Sequence, residues 1–281
     1  NYVDGQFQNL VATPRIVEGS RVSSFWNFFF SQKERPVPID SIPTVKTDLK
    51  ALDKNRDFVI WLGHSSYFIQ FGGKKILIDP VFSSSAAPVD FANRAFAGTS
   101  LYEAEDMPEI DYLLISHDHW DHLDYPTVMA LKSKIKNVIC GLGVGAYFEQ
   151  WGFAGDIIHE ADWYDSLEMD KDFIVHVLPA RHFSGRLLSP NKTLWTSFAL
   201  ETQNKRIFYS GDGGYGPHFK EIRKMFNGFN LVILENGQYD KKWPYIHMMP
   251  EEVALAADEL NADALLPGHS GKFSIANHAW D

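Results

Sequence analysis

Between Leu113 and His122 an apolar run, Leu113-Leu114-Ile115, ends at Ser116 and passes directly into His117-Asp118-His119-Trp120-Asp121-His122. Residues two apart in an extended loop point the same way, so His117 and His119 can grip one ion together. Asp121 and His122 follow a turn later and can face a second ion. Imidazole with carboxylate is a usual zinc donor set, and a catalytic site keeps a coordination position open. Three histidines in six residues at a strand end are improbable as a merely His-rich surface loop.

Four more candidates sit in similar settings. His182 follows Val177-Leu178-Pro179-Ala180, Asp212 lies in Tyr209-Ser210-Gly211-Asp212-Gly213-Gly214, and His269 closes Leu265-Leu266-Pro267-Gly268-His269. His247 follows Trp243-Pro244-Tyr245-Ile246 just ahead of a helix. A single His after a strand is more often a hydrogen-bonded structural residue. The repetition of the arrangement, strand then loop then donor, gives the four positions a weight that none has alone.

These donors need strands that end on one side of a sheet. Phe58 to Leu62, Tyr67 to Phe71 and Lys75 to Ile78 read as an antiparallel meander separated by glycine turns. Asp111 to Ser116 is a strand, Tyr125 to Lys134 a helix with Asp124 as N-cap, Val138 to Cys140 a strand, and Val144 to Gln150 a helix closed by Gly152. Strands at Ile157–His159, Asp162–Met169 and Phe173–Leu178 follow. Leu194–Glu201 and Arg206–Ser210 form a hairpin. His218 to Phe226 is a helix, Leu231 to Leu234 a strand, Glu251 to Leu260 a helix and Ala264 to Leu266 a last strand. Two groups of strands interleaved with helices predict a four-layer αββα sandwich, two mixed sheets face to face with helices outside.

Residues 1–50 read as an N-terminal arm packed on a domain spanning 51–281. Pro14, Pro36, Pro38 and Pro43 forbid a long helix there, and Phe25-Trp26-Asn27-Phe28-Phe29-Phe30 either packs on the domain's own apolar surface or makes peripheral contact with a membrane. No stretch approaches the ~20 apolar residues that span a bilayer. The chain starts at Asn1, so an upstream signal or anchor is left open, and a cytoplasmic or membrane-associated location is expected. The net charge of −10 argues against nucleic acid as a partner. Cys140, the single cysteine, reads as a small core residue rather than a reactive thiol.

The His-Asp-His-Trp-Asp-His run, with His182, Asp212 and His269 in that order, resembles the metallo-β-lactamase superfamily. The resemblance is closest to the branch of N-acylphosphatidylethanolamine-hydrolysing phospholipases D and their bacterial relatives, near the ascorbate-6-phosphate lactonases. It is carried further by Trp61-Leu62-Gly63-His64-Ser65-Ser66, Ile78-Asp79-Pro80-Val81-Phe82-Ser83, His122-Leu123-Asp124-Tyr125, Ser210-Gly211-Asp212-Gly213-Gly214-Tyr215 and His247-Met248-Met249-Pro250-Glu251-Glu252, and covers roughly Phe58 to Phe273. It implies the αββα fold and two zinc ions, with manganese or iron as alternatives. His117, His119 and His182 would hold the first ion, Asp121, His122 and His269 the second, and Asp212 would bridge them.

The resemblance further implies that Asp79 orients the His-rich loop from behind, while His64 is structural. His247 would bind the substrate phosphate or protonate the leaving group, which with Asp121 makes it a residue of the chemistry. The expected activity is hydrolysis of a lipid phosphodiester by a hydroxide shared between the ions, its pKa lowered towards ~7. The alternative is a lactonase or a hydrolase of a small phosphorylated metabolite. Two departures bear on specificity: Trp120 stands where the phospholipase D has Tyr, and Ile246 where it has a polar amide. A di-iron oxygen reductase would carry Glu at the place of His119, and a zinc β-lactamase generally a Cys near Asp212. A metal scaffold without activity is disfavoured because every ligand position is filled.

Overall fold

The computed structural model describes residues 1–17, 35–89, 91–186 and 189–281; the aromatic segment Phe25–Phe30 lies outside them. The first sheet contains β3 (Phe58–Gly63), β4 (Ser66–Phe71), β5 (Lys74–Ile78), β6 (Tyr112–Ile115), β7 (Val138–Gly141) and β8 (Ile158–Ala161), side by side in that order. The meander β3-β4-β5 is antiparallel, and from β5 to β8 the strands run parallel. The second sheet runs β14 (Leu265–Gly268), β13 (Leu231–Glu235), β12 (Arg206–Tyr209), β11 (Thr196–Glu201), β10 (Phe173–Pro179) and β9 (Ser166–Asp170). There β12, β13 and β14 are parallel, and β11–β12 is the antiparallel hairpin expected from the sequence.

Period-2 alternation sorts each strand's side chains into layers. Ile76, Ile78 and Leu114 face inward and meet Val175, Val177, Phe198, Ile207 and Ile233 of the other sheet. Leu77, Leu113 and Ile115 point outward, under α1 (Tyr125–Leu131) and α2 (Gly145–Gln150), where they pack on Leu123, Val128, Leu131 and Phe148. Phe208, Val232 and Leu234 face α3 (His218–Phe226) and α4 (Pro250–Glu259), against Phe219, Ile222, Val253 and Ala256. The result is the four-layer αββα sandwich. Cys140 is fully buried in the first outer layer, as a small core residue should be.

Three local details differ from the sequence expectation. α1 ends at Leu131, and 132–134 form a separate 3-10 turn. Asp124 precedes α1 but makes no side-chain capping bond to the helix backbone; its carboxylate takes the Ser83 hydroxyl at 2.7 Å and the Thr127 hydroxyl instead. The strand expected from Asp162 starts at Ser166, because Asp162 and Asp165 close a turn on each other's backbone and side chain.

The two-residue strands β1 (Tyr2–Val3) and β2 (Gln6–Phe7) join through Asp4-Gly5, both at positive φ, the Asp-Gly hairpin turn. Phe7 is buried with Trp163, Ala180, Leu194 and Trp195. Beyond it, the Asn9 side-chain amide donates to the His182 carbonyl at 2.7 Å, and Arg181 donates to the Ala12 carbonyl at 2.8 Å.

Candidate metal centre

Parallel strands of both sheets end on the same side, and the loops there bring the polar residues together. His64 follows β3, Asp79 follows β5, and His117, His119, Asp121 and His122 follow β6. From the second sheet come His182 after β10, Asp212 after β12, Glu235 at the end of β13 and His269 after β14. Gly211 is what lets the Asp212 loop approach the β6 loop. It sits at φ 59°, and a Cβ there would lie 2.6 Å from the Thr196 carbonyl oxygen and 3.1 Å from the Ser116 Cβ.

The donor atoms form two groups sharing one oxygen. In the first, the Nδ1 of His119 lies 2.8 Å from the Nε2 of His117 and 3.3 Å from that of His182, and both Nε2 atoms are 3.9 Å from Oδ2 of Asp212. In the second, the Nε2 atoms of His122 and His269 lie 3.1 and 3.2 Å from the same Oδ2 of Asp212, and 3.5 and 3.3 Å from Oδ2 of Asp121. Four donors bound tetrahedrally to zinc at ~2.0–2.1 Å stand about 3.3 Å from one another. The second group has that spacing, and the first approaches it. Nε2 of His122 and Oδ1 of Asp212 are buried and have no hydrogen-bond partner, which costs free energy unless something else satisfies them. The residues fit divalent metal.

Three of the imidazoles are held from behind by a partner at Nδ1. Nδ1 of His117 faces the Ser116 hydroxyl at 3.0 Å, that of His122 faces Asp79 at 2.9 Å, and that of His182 the Ile246 carbonyl at 2.9 Å. A ring whose Nδ1–H is fixed in this way presents a bare Nε2 to a metal. Asp79 is fully buried at φ 41°, and its carboxylate also accepts the Ser116 N–H at 2.8 Å and the Tyr209 hydroxyl at 2.6 Å. His64 is fully buried, its Nε2 2.9 Å from Oδ2 of Asp121. That Oδ2 is also the oxygen facing His122 and His269, and a donor atom of His64 lies within 4.8 Å of those of all three, so His64 borders the second group, while the open side is formed by the half-buried His119, Trp120 and Asp121.

The charge balance follows from the same contacts. Burial, reinforced by the neighbouring imidazoles, pushes His117 well below its ordinary pKa. Burial likewise lowers His182 well below its ordinary value and brings His119 to about 4, so the first group is neutral and ready to ligate. Burial is the largest influence on His122 and His269 and opposes their charge, but Asp212 and Asp121 together, joined at His269 by Glu235, outweigh it, raising His122 well above its ordinary value and His269 to about 9. Despite burial, Asp121 and Asp212 are held well below the usual carboxylate range, chiefly by His122. Metal entering the second group therefore displaces protons from His122 and His269.

His247 is brought to the same centre. Its ring lies 5.1 Å from that of His182 and 5.3 Å from that of His269, and it has a donor atom within 4.8 Å of those of His182 and Asp212. One residue escaped the sequence reading. Glu235 is buried, with Oε2 3.3 Å from the Nδ1 atoms of both His247 and His269. Burial would raise its pKa, but the two imidazoles carry it below the ordinary value. The available signal was a lone carboxylate closing the apolar strand Leu231-Val232-Ile233-Leu234, the pattern also seen at Asp79.

A four-layer sandwich with clustered His and Asp donors at its strand ends defines a metal-dependent hydrolase of the metallo-β-lactamase superfamily. The family model described as the β-lactamase superfamily domain matches residues 74–270, and the chain belongs to that superfamily. An uncharacterised protein of Mycobacterium tuberculosis is 36% identical over 285 residues, covering all of this chain and 76% of that protein. The N-acyl-phosphatidylethanolamine-hydrolyzing phospholipase D 1 of Caenorhabditis elegans is 31% identical over 208 residues, covering 69% of this chain and 58% of that enzyme. Among solved structures, Igni18, a metallo hydrolase from the archaeon Ignicoccus hospitalis, superposes with a TM-score of 0.58 at 19% identity. It covers 75% of this chain and 82% of that one. Among the described residues, no helix is long and apolar enough to cross a membrane.

Proposed function

We propose that the chain is a dinuclear zinc phosphodiesterase of phospholipase D type, acting on lipids of the N-acylphosphatidylethanolamine kind. The observation that carries the dinuclear reading is Oδ2 of Asp212, which lies 3.1–3.9 Å from the imidazole nitrogens of His117, His122, His182 and His269, two from each donor group. His117, His119 and His182 would hold one ion, Asp121, His122 and His269 the other, with Asp212 between them. A pair of divalent ions so held supplies a water nucleophile near neutral pH and neutralises the charge of the phosphoryl oxygens.

The chain's own residues supply orientation and a proton. Ser116, Asp79, the Ile246 carbonyl and Glu235 lock the imidazole rings, so the donor set is organised before substrate arrives. His247, outside both donor groups, delivers a proton to the departing alkoxide oxygen or binds the phosphate. The named activity of the nematode relative supports a phosphodiester with apolar chains. The test is hydrolysis of N-acylphosphatidylethanolamine against lactones and small phosphorylated metabolites under equal conditions. The lipid should be turned over fastest; lactones hydrolysed tenfold faster would make the chain a lactonase.

A further inference from the structure

Glu235 is the only carboxylate among the described residues whose oxygen lies 3.3 Å from two imidazole Nδ1 atoms at once, those of His247 and His269. His269 belongs to the second donor group, whereas His247 belongs to neither of the two groups proposed as ligands. The rings of these two histidines are nearly parallel, 5.3 Å apart at 23°, and Glu235 spans their near edges. Its other oxygen accepts the Met248 N–H at 2.6 Å, and its own N–H donates to the Ser210 hydroxyl at 3.1 Å. Carboxylate and loop are therefore tied to each other, and Met248 adjoins His247 in the chain. The Met248 bond anchors Oε1, which gives Oε2 its place between the rings.

We propose that Glu235 is a positioning residue that couples the second metal site to the acid: one carboxylate sets the tautomer and ring plane of both His269 and His247. It does so by accepting an Nδ1–H from each ring, which leaves Nε2 of His269 bare for metal and turns Nε2 of His247 toward the substrate side. The proposal rests on the dinuclear reading and adds to it a single residue on which one metal site and the proton donor both depend. Three other imidazoles are held by partners other than Glu235: His117 by Ser116, His182 by a backbone carbonyl, and His122 by Asp79. Losing Glu235 should therefore affect one site and spare the other.

Glu235→Gln is the informative variant. Its amide oxygen can still accept the Met248 N–H, while its NH₂ meets two Nδ1–H groups and forces a change of tautomer or a tilt. Zinc binding is measured by chelator competition on metal-free protein, together with the melting temperature of that metal-free protein. The wild type should bind two equivalents; Glu235→Gln should bind one as the wild type does and the other 10–100-fold more weakly, with the metal-free protein melting somewhat lower because bonds to a charged acceptor become neutral ones. At saturating zinc, kcat on a phosphodiester should fall in Glu235→Gln. Adding Glu235→Gln to His247→Ala should lower kcat little further, because the effect passes through His247.

Two equivalents of wild-type affinity in Glu235→Gln would overturn the inference while leaving the dinuclear reading intact. Equal weakening of both equivalents would make Glu235 a structural residue, and full multiplication of the two kcat losses would remove its link to His247. A wild type that binds one equivalent overturns the dinuclear reading and this inference with it. Should Glu235→Gln fail to fold, Glu235→Asp, which keeps the charge but withdraws it by one methylene, should show the same one-site loss in smaller measure. Two sites of wild-type affinity in Glu235→Asp would then overturn the inference.

Discussion

Asp79→Asn changes one oxygen into an NH₂ with almost no change of shape. Asn tolerates the left-handed φ of 41° at this position as well as Asp does, so backbone strain is not part of the effect. The Asn oxygen can keep the Ser116 N–H, now bound to Oδ1 of Asp79 at 2.8 Å. The NH₂ then faces the Ser116 hydroxyl at 2.5 Å, the Tyr209 hydroxyl at 2.6 Å and Nδ1 of His122 at 2.9 Å, all of which donate to Oδ2 of Asp79 in the wild type. The hydroxyls can rotate and become acceptors. The imidazole can accept only by moving its proton to Nε2, the atom that should face metal.

Bonds to a charged acceptor are worth ~1.5–3 kcal/mol each and neutral ones ~0.5–1.5, so the several bonds at Asp79 together lose about 2–4 kcal/mol. At ~2–4 °C per kcal/mol for a domain of this size, the metal-free protein should melt roughly 10 °C lower. Zinc at the second site should bind 10–100-fold more weakly. Calorimetry of metal-free protein and zinc titration of both forms measure the two effects. A melting temperature within 2 °C of wild type together with unaltered zinc affinity would show that Asp79 does not organise the loop.

His247→Ala should keep its metal and its melting temperature yet lose ~10²–10⁴-fold in kcat/KM on a phosphodiester, the range for a positioned acid or base; lost zinc would make His247 a ligand, and normal turnover would remove it from the site. Gly237→Ala places a Cβ 1.8 Å from the His269 carbonyl oxygen, so it should destabilise the protein by about 1–3 kcal/mol and weaken the second zinc, both read from melting and zinc titration. His218 is almost fully buried and its pKa is lowered to about 3 by burial and by Arg181, so between pH 6.5 and 3 the unfolded chain binds the extra proton. Stability is full above the unfolded pKa and falls with acid. From pH 7 to 5, His218 alone should cost about 2 kcal/mol, measured as the difference in urea stability between wild type and His218→Gln; equal losses in the two would contradict the assignment.

The sandwich was legible because its strands are short apolar runs bounded by turns while its helices carry apolar residues at helical spacing, as in Ile76-Leu77-Ile78 and in Phe219, Ile222 and Phe226 of α3. The metal cluster was legible because chemistry concentrates at strand ends, where an apolar run stops abruptly at His or Asp. Glu235 obeys the same rule but was missed, since a single acidic residue after Leu231-Val232-Ile233-Leu234 is also how many surface turns begin. Only the position of His247 and His269 on either side of it reveals a function. β1 and β2 are two residues each, too short for any periodicity, though Asp4-Gly5 marks their turn. The capping role expected of Asp124 failed for a tertiary reason: Ser83, 41 residues away in the chain, competes successfully for the carboxylate.

Phosphodiester hydrolysis measured while zinc is titrated into metal-free protein bears most directly on the proposed chemistry. Activity should be absent without metal, stay low through the first equivalent and rise to its plateau as the second is taken up, because the shared Asp212 oxygen organises two ions for one reaction. Full activity without metal, or a plateau reached at one equivalent with no further change, would contradict it.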